Sequence, residues 1–144
     1  MKADNRIALF LDTNVVIDYL TSRECFSMYS AALFQLAEDG IVELYLSDIT
    51  ITNISYILRR EEKDKLYASL TMLAESVNIV AASSPIIKRA IKAKWDDFED
   101  ATQYFSAMNC KADYLVTRNA KDFKDSTIPV VSPQELLQNL GYMI

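Results

Sequence analysis

The apolar positions of this chain fall into two kinds of run. The first is Ile7-Ala8-Leu9-Phe10-Leu11, unbroken and too short for an ordinary helix. It reads as a strand buried on both faces, the central kind in a parallel sheet. Tyr114 to Thr117 repeats this pattern, Val77 to Ala81 reads as a short buried strand, and Val130-Val131 as a final short one. Val42 to Ser47 alternates and is rich in strand formers, which predicts a fifth strand.

The second kind has helical spacing. Val15 to Leu20 starts a helix after Asp12-Thr13-Asn14, and Phe26 to Glu38 carries Tyr29, Leu33, Leu36 and Ala37 on one side, with Gly40 as its stop. Ile49 to Arg60 is β-branched, yet its length and the preceding Ser47 or Asp48 cap favour a helix. Glu61 to Glu75 predicts another, with Leu66, Leu70 and Leu73 inward. Ser83/Ser84-Pro85 opens a helix carrying Ile86, Ile87, Ala90 and Ile91, and Phe98 to Asn109 follows the Trp95–Asp100 stretch. Ser132-Pro133-Gln134-Glu135 begins the last helix with cap, proline and acid in order. Strands alternating with helices imply an α/β fold with a parallel sheet covered on both faces, and 144 residues without a linker or repeat imply a single domain over 1–144.

In such a sheet ligands sit beyond the carboxyl ends of the strands, which is where Asp12 falls. The plainer alternative is that Asp12 or Asn14 only caps the next helix. Composition narrows the chemistry. There is no histidine, so imidazole acid–base pairs, Ser-His-Asp triads and histidine zinc sites are excluded. Any hydrolysis must run on carboxylates, hydroxyls, amides and a hard cation. The net charge of −5 bears on long-range attraction and not on local site chemistry. Two cysteines, Cys25 and Cys110, lack metal-type spacing and read as reduced thiols of a cytoplasmic protein. No apolar run approaches the ~20 residues of a membrane span, and no secretion signal is visible, so no membrane partner is expected.

Three groups of polar residues should meet at one rim of this fold. They are Asp12 with Asn14, Asp97 with Asp100 near a helix start, and Thr117-Arg118-Asn119-Ala120-Lys121-Asp122-Phe123 after a strand. Asp97 and Asp100 are three apart and can share a face, whereas Asp96 and Glu99 are expected to point elsewhere. Each group alone could be a cap or a solvated loop. Together they would be costly, because two carboxylates about 5 Å apart repel by roughly 3 kcal/mol at an effective dielectric near 20. A divalent cation with oxygen ligands, Mg²⁺ or Mn²⁺, resolves that cost and could activate water against a phosphodiester without histidine.

FLDTNVVIDYL, SDITITNISYIL, DFEDATQYFSA, ADYLVTRNAKDF and VVSP, in this order, resemble the PIN domain family, in a bacterial branch with DFEDA and TRN-x-KDF motifs. The resemblance runs from Ala8 to about Leu137. It implies a three-layer α/β/α sandwich around a central parallel sheet and metal-dependent cleavage of single-stranded RNA, leaving a 5′-phosphate and a 3′-hydroxyl. It further implies the toxin half of a bacterial toxin–antitoxin pair.

By the same resemblance Asp12 is the first metal ligand and Asp100 the acid of the central helix, with Asp97 beside it. Asn119 and Asp122 fall in the last motif, and Asp12, Asp100 and Asp122 form the catalytic set. Thr117, Asn14 and Asn53 support them, and Arg118 is the candidate for holding a flanking phosphate. Arg59, Arg60 and Lys121 are weaker candidates that a solvated face explains as well. Two positions depart from the family. Many members carry glutamate where Asn53 stands and aspartate where Asn119 stands, and an amide coordinates a cation without contributing charge. A catalytically weak or inactive PIN-like domain that binds RNA or protein is therefore the alternative. A haloacid-dehalogenase-like phosphatase is disfavoured because Asn14 replaces its second aspartate. A small basic or amphipathic antitoxin and a homodimer are the expected protein partners, for which Tyr29, Tyr56 and Phe105 are candidate contacts, although core packing explains each of them as well.

Overall fold

A computed structural model describes residues 6–142. Among them five parallel strands form one sheet in the order β3-β2-β1-β4-β5. They are β1 (Ile7–Leu11), β2 (Val42–Ser47), β3 (Asn78–Val80), β4 (Tyr114–Val116) and β5 (Val130–Val131). The helices are α1 (Thr13–Leu20), α2 (Ser27–Glu38), α3 (Asp48–Glu61), α4 (Leu66–Ser76), α5 (Ser84–Ala93), α6 (Phe98–Asn109) and α7 (Pro133–Asn139).

The unbroken apolar run of β1 serves two cores at once, because successive side chains leave a strand on opposite faces. Leu9 and Leu11 join Leu44, Leu46 and Val116 against α1, α2, α3, α4 and α7. Ala8 and Phe10 join Tyr45 and Leu115 against Tyr104 and Ala107 of α6 and Phe123. The α/β/α sandwich is thus thick on one side and thin on the other, where α5 packs on α6 through its inward Ile86 and Ala90. The helical reading of the β-branched Ile49–Arg60 stretch holds. Ser47 Oγ accepts from Ile49 N at 3.1 Å, and Thr50, Ile54 and Leu58 form the buried stripe four residues apart.

Two expectations need correction. The helix expected over Glu61–Glu75 is divided, since Glu62 (φ −144°, ψ 57°) ends α3 and a 3-10 turn at Lys63–Lys65 precedes α4. The strand expected to be buried at Val77–Ala81 is the edge strand β3. It pairs only with β2, and Ile79 stays 49% exposed. A short apolar run carries no mark of whether a helix covers it. The absence of a leader, read in part from residues 1–5, lies outside the described residues. Among the described residues no helix is long and apolar enough to cross a membrane.

Candidate active site

The strand order reverses at β1 and β4, and the crevice of an open α/β sheet lies at such a switch point. Asp12 leaves β1 there. Its amide donates to Val116 O at 2.9 Å, which extends the central pairing one residue past the strand. Its carboxylate is almost wholly buried and fully engaged. Oδ1 accepts from Thr13 N (2.8 Å) and Gln103 Nε2 (3.3 Å), and Oδ2 from Thr117 Oγ1 (2.8 Å) and Asn14 Nδ2 (3.4 Å). Asp12 is therefore the cap of α1 as well as the centre of the site, so the two readings left open by the sequence coexist. Burial still raises its pKa above the usual carboxylate value, opposed by the hydroxyl of Thr117, the amide of Thr13 and Gln103, and reinforced by the charge of Asp122.

Gln103 is the residue that sequence reasoning missed. It sits on α6 one turn after Asp100, wholly buried, with Nε2 reaching Asp12, Thr13 Oγ1 (3.3 Å) and Thr50 Oγ1 (2.8 Å). It thereby joins β1, α3 and α6. Its signal was a polar residue at i+3 from Asp100, on the helix face that also carries Ala107.

Asp97 caps α6, accepting from Asp100 N at 3.1 Å, so the pair shares a helix turn as its spacing predicted. The pKa of Asp100 is pushed up to about 7, first by partial burial, then by the charges of Asp97, Asp12, Asp122 and Glu99. Glu99 corrects the expectation that it points elsewhere. Its carboxylate accepts a hydrogen bond from Asn53 of α3, and its pKa is raised by desolvation and then by Asp12 and Asp97. The departure at Asn53 thus has a local answer: the amide on α3 holds a carboxylate supplied from α6.

Asp122 lies exposed on the 3-10 turn Ala120–Phe123, which Phe123 anchors in the core. Asn119 N donates to Thr117 Oγ1 at 3.0 Å, and Asn119 itself is exposed. Asp12, Asp97, Glu99, Asp100 and Asp122, from three separate parts of the chain, therefore feel one another's charge. Among the described residues no three acids are drawn in tightly enough to enclose a cation as they stand. The donor chemistry nevertheless fits Mg²⁺ or Mn²⁺: every available donor is oxygen, and Gln103 Oε1 is buried without a partner on the amide that holds Asp12.

Arg118 is differently placed from a free phosphate clamp. Nε and Nη2 hold the two oxygens of Asp18 at 2.5 and 3.2 Å, and Asp18 is only 1% exposed. Lys94, Lys121 and Lys124 line a groove of about 320 Å³ together with five acids, Asp96, Asp97, Asp100, Asp122 and Asp125. Arg59 lies over the ring of exposed Tyr56 at 5.6 Å, and Phe105 is half-buried beneath Arg89.

The raised acids make the metal-free protein pH-sensitive in a defined direction. A carboxyl whose folded pKa lies above its unfolded value keeps its proton longer in the folded state. The stability it contributes is complete below about pH 4 and is lost as the pH rises through 7, the folded value of Asp100. In EDTA the melting temperature is expected to rise as the pH falls from 8 to 5, by a few degrees, followed by circular dichroism. A melting temperature that falls monotonically over that range would contradict the crowding of these acids.

Comparison with known proteins agrees with the fold. The chain is 25% identical over 141 residues, 93% of its own length and 96% of the relative's, to Ribonuclease VapC1 of Aquifex aeolicus (strain VF5). Among solved structures, DNA-bound VapBC from Salmonella typhimurium superimposes with a TM-score of 0.68 at 15% identity, over 88% of this chain and 98% of that one. A toxin–antitoxin complex from Klebsiella pneumoniae does so with a TM-score of 0.63 at 27% identity, over 88% and 97%. The family model described as PIN domain matches residues 8–121, the span from the first buried strand to the loop that carries Asp122's neighbours, and the chain belongs to the PIN domain family.

Proposed function

We propose that this protein is a Mg²⁺- or Mn²⁺-dependent endoribonuclease acting on single-stranded RNA, the toxin of a bacterial toxin–antitoxin pair, working in the cytoplasm. The observation that carries the reading is the mutual charge felt by Asp12, Asp97, Glu99, Asp100 and Asp122 near the carboxyl ends of β1 and β4, with Asp100 pushed up to about 7 by burial and then by the other four. The similarity to a ribonuclease over nearly the whole chain and to toxin–antitoxin complexes supports it.

Asp12, Asp100 and Asp122 would hold the cation, with Asp97, Glu99 and Asn119 completing the oxygen set. When bound, that ion supplies positive charge for the scissile phosphate and lowers the pKa of the attacking water. The protein's own part is positioning. Thr117, Asn14 and Gln103 fix both oxygens of Asp12, and Asn53 fixes Glu99. Lys94, Lys121 and Lys124 offer phosphate contacts along the adjoining groove. A basic or amphipathic antitoxin that covers the acidic rim, and self-association into a homodimer, belong to the same proposal.

The direct test is cleavage of a labelled single-stranded RNA in Mn²⁺ and in EDTA. Cutting in Mn²⁺ alone, with 5′-phosphate ends, is expected; intact RNA in both would overturn the proposal. Glu99 has its own test. Glu99→Gln keeps the hydrogen bond to Asn53 but removes the charge, and is expected to weaken Mn²⁺ binding by roughly 10-fold, the low end for groups that support a metal site. Isothermal titration reads this without any RNA present, and an unchanged affinity would remove Glu99 from the site.

A further inference from the structure

Besides the groove that holds Asp97, Asp100 and Asp122 there is a pocket of about 340 Å³, lined by Phe26, Tyr29, Arg118, Ser132, Pro133 and Gln134 over Asp18. Its position is set by α1. Asp18 at its floor is one turn beyond Asn14, which hydrogen-bonds Asp12, so the pocket begins about 6 Å along the helix from the acidic rim, the scale of one nucleotide. The Thr117–Asp122 segment connects the pocket and the groove, with Arg118 in the first and Lys121 and Asp122 in the second.

Two properties suit the pocket to an anionic aromatic ligand. The first is charge. Inside the pocket Arg118 binds Asp18 at 2.5 Å, and Arg23, which is not among the lining residues but faces the ring of Phe26, lies 4.0 Å from the same carboxylate, so two guanidiniums share one buried acid and the unmatched positive charge sits beside the pocket, on a chain whose net charge is −5. The second is surface. Phe26 is 36% exposed although both guanidiniums face its ring, at 4.3 Å for Arg118 and 5.7 Å for Arg23, and Tyr29 forms the neighbouring wall. Exposed Gln134 presents an amide, donor and acceptor together, at the rim.

The wall is also held in shape. Arg23 N donates to Asp18 O at 2.9 Å, and Phe26 N and Ser27 N both donate to Arg23 O. Ser22 and Cys25 adopt left-handed backbone (φ 52° and 73°), a conformation disfavoured for residues with a side chain.

We propose that this pocket receives an unstacked base of single-stranded nucleic acid next to the scissile phosphate, stacked against the aromatic walls, edge-read by Gln134, with Arg23 on the adjoining phosphate. The assignment rests on the ribonuclease reading for its setting but not for its test. Fluorescence anisotropy in EDTA compares a labelled ten-residue oligoadenylate with an abasic strand of equal length and charge. The full chain is used as wild type, Phe26→Leu and Phe26→Trp. Wild type is expected to prefer the strand with bases by about 10-fold, within the range for base–aromatic stacking. Phe26→Leu should bind both strands equally, and Phe26→Trp should restore the preference. A preference that survives in Phe26→Leu, or that wild type lacks, whether it binds both strands alike or neither, overturns the proposal. So does a Phe26→Leu protein that binds RNA normally but loses a protein partner. Base preference at this pocket together with no cleavage in Mn²⁺ would uphold the pocket and sink the nuclease reading, so the two can fail separately.

Discussion

Asp12→Asn and Asp100→Asn are each expected to reduce RNA cleavage in Mn²⁺ by more than about 100-fold, since even groups one step removed from a metal typically cost 10–100-fold. Equal activity in wild type and both variants would remove the proposed chemistry. The two acids should part company when stability is measured. Asp12 satisfies four donors from Thr13, Gln103, Thr117 and Asn14 and caps α1. Asp12→Ala orphans those donors and removes the cap, a loss of about 1–3 kcal/mol. Asp100 is ionised at pH 8 against the charges of Asp97, Asp12, Asp122 and Glu99. Asp100→Asn relieves that repulsion. A rise from 3.8 to about 7 would be roughly 4 kcal/mol at face value. Partial exposure and solvent screening reduce this to about 1–2 kcal/mol, a few degrees in Tm. Thermal melts at pH 8 in EDTA should therefore move in opposite directions for the two positions. Melts that move together would mean that Asp100 is not crowded.

Arg118→Ala is expected to act on the fold before it acts on any substrate. The variant leaves Asp18, 1% exposed, with only Arg23 at 4.0 Å. Breaking one side of a buried pair costs about 3–5 kcal/mol. Arg118 keeps 22% of its side chain exposed and Arg23 remains nearby, so about 2–3 kcal/mol is expected, or some 5–10 °C in Tm. Arg118→Lys keeps the charge but not the two-pronged contact, and should fall between. An unchanged Tm in Arg118→Ala with a raised KM for RNA would return Arg118 to the role of a simple phosphate clamp.

The strands were readable because four of them end in chemistry or turns that punctuate the apolar runs. Asp12 closes β1, Ser47 and Asp48 close β2, Thr117 follows β4 and Ser132-Pro133 follows β5. β3 was misread as buried because coverage of an edge is a property of the layers and not of the run itself. Glu99 was misread for a related reason. Helical spacing sets the direction of a side chain on its own helix, while the position of Asn53 on α3, from which the amide reaches across to Glu99, is set by tertiary packing. Gln103 was invisible as a site residue because its three partners, Asp12, Thr13 and Thr50, lie 53 to 91 positions away in the chain. The acids at 12, 97, 100 and 122 were legible because loops at strand ends and helix starts are where a parallel α/β sheet exposes polar groups to one another.

The attachment of Asp12 and Thr117 to adjacent inner strands has a bearing on how such a protein could be held in check. Asp12 N bonds Val116 O and Thr117 N bonds Val131 O, so both residues are stitched into the same ladder as Leu9–Leu11 and Leu115–Val116, side chains without measurable solvent contact. Amides of that ladder should exchange with deuterium only through global unfolding. With Asp12 hung from that ladder, a shift within the sheet is a costly way to misalign its carboxylate. Covering the rim from outside would restrain that residue without opening the ladder.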